Sequence, residues 1–175
     1  AAAELWLSVN LSSRQFLHPP LVQEILGVLA ETGFPPDRLR LEITESVIMD
    51  DASAVGTILH RLRDAGIRVA IDDFGTGYSS LSYLHRLPLD TLKIDRSFVK
   101  EMHADPTREA VIQTVISLSG SLRLDTVAEG VETIEDAAAL QRMGCRLGQG
   151  FLFSHPLAPH AAALKLAEMG KVALA

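Results

Sequence analysis

Apolar positions recur along this chain in two alternating rhythms, and the alternation sets the architecture. Leu21, Val22, Ile25, Leu26 and Leu29 fall on one face of a helix that stops at Gly33, the residue type expected in a left-handed C-cap. Val55, Ile58, Leu59 and Leu62 repeat the pattern before Gly66, and Ile134, Ala137, Ala138 and Leu140 repeat it before Gly144. A further helix carries Val111, Ile112, Val115 and Ile116 toward Gly120 and begins near Pro106, where a missing amide proton costs nothing. Between these helices lie short apolar runs that read as strands: Trp6 to Val9, Leu39 to Ile43, Val69 to Ile71, Thr91 to Ile94, Thr126 to Ala128 and Leu147 to Phe151. Strand and helix in alternation predict βαβ units and a parallel sheet.

The strand ends choose between an open sheet and a barrel. At or beside them stand Asn10, Glu42, Asp72 with Asp73, Lys93, Glu129 and Gln149, so every strand delivers a polar group to one side. An open sheet concentrates its site at one switch point, whereas a (β/α)8 barrel gathers all strand ends around one mouth. The pattern therefore predicts an α/β fold of the TIM-like (β/α)8 type. Such barrels typically need about 250 residues, so 175 residues with six strands predict an incomplete one, about two strands short, in a single domain over 1–175. An open barrel leaves strand edges and part of its core uncovered, which favours dimerisation or domain exchange.

Charge narrows the partners. Sixteen basic residues against 22 acidic ones give a net charge of −6, and the scattered Arg61, Arg63 and Arg68 are the densest basic group, which argues against duplex nucleic acid. An acidic protein that receives a phosphate ester needs bound cations to do so. The single cysteine, Cys145, excludes an internal disulfide and a cysteine zinc cluster and fits a reducing cytoplasm; it reads as a small buried hydrophobe. No run reaches the roughly 18 apolar residues of a membrane span, which leaves anchoring of a longer parent open. The six histidines form no metal-spaced pair on a helix face.

The chemistry centres on Val69-Ala70-Ile71-Asp72-Asp73-Phe74-Gly75-Thr76-Gly77-Tyr78-Ser79-Ser80, an apolar strand ending in two carboxylates and a glycine-rich loop. Alone, such a pair reads as turn chemistry, one acid capping and the other solvated. Asp73-Phe74-Gly75 also occurs in protein kinases, but no nucleotide loop or catalytic His-Arg-Asp accompanies it here. In company with Asn10, Glu42 and Glu129, the pair supplies five oxygen ligands from four strands, enough for two Mg²⁺ or Mn²⁺ ions bridged by Asp72. Two such ions activate a shared water and stabilise both oxygens of an in-line displacement at phosphorus, which points to phosphodiester hydrolysis. Lys93, otherwise a candidate to pair with Asp90 or Asp95, would add a fixed positive charge beside the water. Thr133 with Asp136 reads as a helix cap beyond Glu129-Gly130-Val131-Glu132.

Ser8-Val9-Asn10-Leu11-Ser12, Leu41-Glu42-Ile43-Thr44-Glu45, Ile71 to Ser80, Leu92-Lys93-Ile94-Asp95, Ala128-Glu129-Gly130-Val131-Glu132 and Gly148-Gln149-Gly150 resemble, in order and over nearly the whole chain, the motifs of the EAL domain, the bacterial cyclic di-GMP phosphodiesterase. The resemblance implies hydrolysis of cyclic di-GMP to linear pGpG with Mg²⁺ or Mn²⁺. It places Asn10, Glu42 and Asp72 on one metal and Asp72, Asp73 and Glu129 on the second. It makes Lys93 the catalytic lysine, with Glu129 also in the catalytic set, and Gln149 a residue near the substrate. Glu45 anchors the loop after the paired aspartates, Glu132 supports the metal ligands, and the loop from Asp73 to Ser80 leads to a homodimer interface. Further domains of a larger signalling protein are implied as well.

The family's Glu-x-Leu strand, which completes the first metal's ligands, has no counterpart in these residues, and Glu4 lacks the motif around it. Little catalysis is therefore expected of the 175 residues alone. A second reading makes the chain a cyclic di-GMP receptor or dimerisation module, and a third an incomplete barrel with no independent function.

Overall fold

The computed structural model describes residues 5–50, 52–75 and 84–172. In chain order the elements are β1 (Leu7–Leu11), α1 (Ser13–Phe16), α2 (Leu21–Thr32), a 3₁₀ turn (Pro36–Arg38), β2 (Leu39–Thr44), α3 (Glu45–Asp50), α4 (Ala52–Asp64) and β3 (Arg68–Phe74). There follow β4 (Thr91–Ile94), α5 (Arg96–Lys100), α6 (Pro106–Leu122), β5 (Asp125–Glu129), α7 (Ile134–Arg142), β6 (Leu147–Gln149) and α8 (Pro159–Val172).

The six strands pair in parallel in the order β1-β2-β3-β4-β5-β6. Each strand adds beside its predecessor, so the winding never reverses; a doubly wound sheet would reverse at a switch point. The sheet is the curled wall of a (β/α)8-type barrel.

Register explains which side chains face inward. Leu41 pairs with Val69 and Glu42 with Ala70 across β2 and β3, while Lys93 pairs with Val127 across β4 and β5. With a side-chain period of two, Leu39, Leu41, Ile43, Val69, Ile71, Leu92 and Ile94 share the outer face, and all are buried in the core that includes Val55, Leu59, Leu62, Ile112 and Val115 from α4 and α6. Arg40, Glu42, Ala70, Asp72, Thr91, Lys93 and Glu129 take the opposite face. The apolar core thus lies between sheet and helices, and the barrel interior is polar.

Several elements differ from the sequence reading, each for a physical reason. Strand β3 extends three residues past Ile71 and so contains both aspartates, because a register irregularity between Ile71 and Phe74 absorbs them without ending the ladder. Strand β6 stops at Gln149, where Gly150 turns against the preceding loop. Helices α1 and α5 are too short to show a periodicity, and each instead rests on its cap. Ser12 and Gln15 form a capping box on α1, while Asp95 accepts from the Ser97 N–H at 2.9 Å on α5.

Strands β1 and β6 are the sheet edges among the described residues, and their flanks are open. Leu7 is 50% exposed and Leu147 39%. A groove of about 430 Å³ lies between β1 and α2, lined by Leu7, Val9, Leu11, Ile25, Leu29 and Leu41. At the opposite end from the charged strand ends, the buried Arg40 guanidinium lies 4.8 Å from the Trp6 ring centroid, with Nε and Nη2 unpartnered among the described residues. Burial pushes its pKa down, against the opposing charge of Asp125.

Candidate active site

Strand β4 carries Lys93 into the middle of the barrel mouth, where it is 3% exposed. Its Nζ lies 2.5 Å from Glu42 Oε2 on β2, 2.9 Å from Asp72 Oδ1 on β3 and 2.6 Å from Glu129 Oε1 on β5. Neither Asp90 nor Asp95 is its partner: Asp90 accepts from the Val69 N–H, and Asp95 caps α5. Burial works against the charged ammonium, but hydrogen bonds to Glu129, Glu42 and Asp72 outweigh it and hold the Lys93 pKa above its ordinary value. Burial pushes Glu129 up, with Lys93 opposing.

The paired aspartates converge by a device within the strand. Neighbouring strand residues normally point to opposite faces, but at the register irregularity Asp73 adopts φ 53°, a left-handed conformation uncommon for a non-glycine residue. Asp72, Asp73 and Glu129 consequently offer oxygens that all lie within 4.8 Å of one another. Bulges re-aim side chains in this way beside functional sites.

Asp95, which the sequence reading left out of the ligand set, joins the cluster. Burial, the Asp72 charge and a hydrogen bond with Asp95 push the Asp73 carboxyl up. Asp95 is also disfavoured by burial, yet hydrogen bonds from the Ser97 hydroxyl and amide hold it below the ordinary value. The one hydrogen bond between the two side chains thus raises the Asp73 carboxyl and lowers that of Asp95. The cue in the sequence was Asp95-x-Ser97 after a strand, which reads equally as an ordinary helix cap.

The remaining candidates fall at defined places. Asn10 pairs in register with Glu42 and Gln149 with Glu129, both exposed at the mouth. Glu45, 7% exposed, accepts from the Gly75 N–H at 3.3 Å and so ties the start of α3 to the chain just after Asp73. Thr76 to Ser80 of that loop lie outside the described residues. Glu132 is exposed, and its backbone N–H approaches Asp136 Oδ2 at 3.4 Å within the capping box of α7. The structure thus draws Glu42, Asp72, Asp73, Lys93 and Glu129 into one cluster, with Asn10 and Gln149 as flanking neighbours.

This donor set fits a hard divalent cation. Three carboxylates converge, and the buried Asp72 Oδ1 meets only the Lys93 ammonium, 2.9 Å away, among the described residues. Carboxylate oxygens at such separations suit Mg²⁺ or Mn²⁺.

Residues 1–156 match the family model of the EAL domain. Over 151 residues, 86% of the chain, it is 46% identical to MucR of Pseudomonas aeruginosa, named a bifunctional diguanylate cyclase/cyclic di-GMP phosphodiesterase, and spans 22% of that relative's length. Among solved structures, the PaMucR phosphodiesterase in complex with c-di-GMP aligns with a TM-score of 0.87 at 44% identity, covering 90% of this chain and 64% of that one. Klebsiella pneumoniae BlrP1 in a manganese/cy-diGMP complex aligns with a TM-score of 0.80 at 39% identity, covering 88% of this chain and 39% of that one. The chain therefore belongs to the EAL domain family.

Proposed function

We propose that this EAL domain hydrolyses cyclic di-GMP to the linear dinucleotide with Mg²⁺ or Mn²⁺. The observation that carries the reading is the Lys93 ammonium set on Glu42, Asp72 and Glu129 beside Asp73. The names of the related proteins support the substrate, since MucR is a cyclic di-GMP phosphodiesterase and BlrP1 holds manganese with the same nucleotide.

Asp72, Asp73 and Glu129 would hold one cation, and Asn10, Glu42 and Asp72 the other. When bound, the cations supply a water of lowered pKa and charge stabilisation at phosphorus. Lys93 keeps a permanent positive charge at the mouth because its pKa is raised, so it orients the water and steadies negative charge on the phosphate without acting as a base. Glu45 steadies the chain after Asp73 through the Gly75 amide. We place Gln149 at the substrate, Glu132 in support of the ligands, and a homodimer contact on the loop after Asp73.

A receptor role is favoured by one feature: Glu42 is already engaged by the Lys93 ammonium. Incubating the full-length protein with cyclic di-GMP and Mn²⁺ decides between the readings. Linear dinucleotide in Mn²⁺ and none in EDTA supports hydrolysis; tight binding without turnover supports the receptor.

A further inference from the structure

We infer that Gly150 is a positioning residue that locks Gln149 beside Glu129, and that its lock acts on nucleotide binding rather than on the cation. This inference rests on the reading of the site given above.

The ladder between β5 and β6 does not end at the Glu129 and Gln149 pair. The Val131 N–H donates to the Gln149 carbonyl at 3.1 Å, and the Leu152 N–H donates to the Val131 carbonyl at 3.0 Å. Both polar groups of one peptide residue are thus spent on the segment that carries Gln149. Gly150 lies directly against that peptide: a Cβ placed on it would stand 2.1 Å from Val131 O and 2.4 Å from Val131 N. No flexible side chain is available to yield, because the opposing atoms are backbone. Gly150 is not among the positive-φ glycines, so alanine is excluded by space alone.

Gly148, one residue before Gln149, supplies the contrast. A Cβ there would meet Val131 Cγ2 at 3.3 Å and the Phe153 ring at 3.5 Å, contacts that a small side-chain adjustment relieves. Two glycines flank the same glutamine, and of the two Gly150 faces backbone whereas Gly148 faces side chains.

The direction of the response follows from the sheet. Strand β5 is held by β4 through four register pairs, whereas β6 has a strand neighbour on one side only among the described residues. A methyl group at Gly150 therefore moves the Gln149 segment, and Glu129 keeps its place beside Lys93. Gln149 offers a carboxamide, donor and acceptor together, at the mouth where a phosphodiester or purine edge would lie.

The test compares G150A, G148A and Q149A with the wild type in three measurements: amide hydrogen exchange at Val131 and Leu152, Mn²⁺ binding by electron paramagnetic resonance, and cyclic di-GMP binding by calorimetry. In G150A both amides should exchange at least about tenfold faster and nucleotide affinity should fall about tenfold or more, with Mn²⁺ affinity within about twofold of wild type. Q149A should lose the same nucleotide affinity while both amides stay protected, and G148A should resemble the wild type in all three. Wild-type amide protection or nucleotide binding in G150A overturns the inference, as does a loss of Mn²⁺ affinity as large as the loss of nucleotide affinity. If the wild type binds no cyclic di-GMP, the functional reading falls, while the exchange of Val131 and Leu152 still decides whether Gly150 is the lock.

Discussion

Replacing Lys93 with methionine removes the charge that makes one buried and two half-buried carboxylates compatible. At separations of 2.5–2.9 Å each contact carries about 6 kcal/mol of gross attraction at an effective dielectric near 20. Desolvation of four ionic groups cancels most of that, so the net loss expected for breaking such a buried cluster is about 3–5 kcal/mol. The pH dependence is the sharper readout. Lys93 has a raised pKa, so its contribution is fully present below the ordinary lysine value and is lost only as pH climbs through the folded one. Glu129 is also raised, so the folded state holds its proton more tightly and stability falls as pH rises from the ordinary glutamate value through the folded one. Without Lys93 the hydrogen bond and charge that oppose this rise are gone, and Glu129 binds its proton more tightly still. Urea unfolding of K93M in EDTA should therefore show the full deficit at pH 7.5, shrinking toward pH 4 as Glu129 takes up its proton. A deficit below about 1 kcal/mol at pH 7.5, or one independent of pH, would refute the reasoning.

Other outcomes follow from the same geometry. Mn²⁺ at one hundred times its dissociation constant should stabilise the wild type by about 2.7 kcal/mol, read as an upward shift of the thermal midpoint, and D72N or E129Q should abolish the shift. R40M should be neutral or stabilising in urea unfolding, because it removes two buried unpartnered donors worth about 1–3 kcal/mol each while giving up a stack on Trp6 worth about 0.5–2 kcal/mol. T133A removes the reciprocal cap of α7 and should cost about 1 kcal/mol by the same measurement. L59A empties a fully buried position between α4 and the sheet and should cost about 2–5 kcal/mol.

The barrel wall was legible in the sequence because its two periods are clean. Leu39, Leu41 and Ile43 alternate with Arg40 and Glu42, and all three apolar residues are buried on the outer face. The site was legible for the same reason: a strand end is a fixed address, and Glu42, Asp72, Lys93 and Glu129 share one. What escaped was local geometry that no periodicity encodes. The convergence of Asp72 and Asp73 depends on a register irregularity and on Asp73 at φ 53°, which the run Ile-Asp-Asp-Phe does not announce. Asp95 was read only as a candidate partner for Lys93; it is instead the cap of α5, and its contact with Asp73 appears only when β3 brings the two together. The close approach of Gly150 to Val131 joins segments nineteen positions apart, and a glycine beside a glutamine reads first as a turn.

Lys93 and its three carboxylates as the centre of a metal-dependent phosphodiesterase are tested most directly by product analysis. The full-length protein and its K93M variant are incubated with cyclic di-GMP and Mn²⁺, and the nucleotides are separated. Linear dinucleotide from the wild type, none in EDTA, and a loss of at least about a hundredfold in K93M are predicted. Turnover that survives in K93M, or that proceeds unchanged in EDTA, would contradict it.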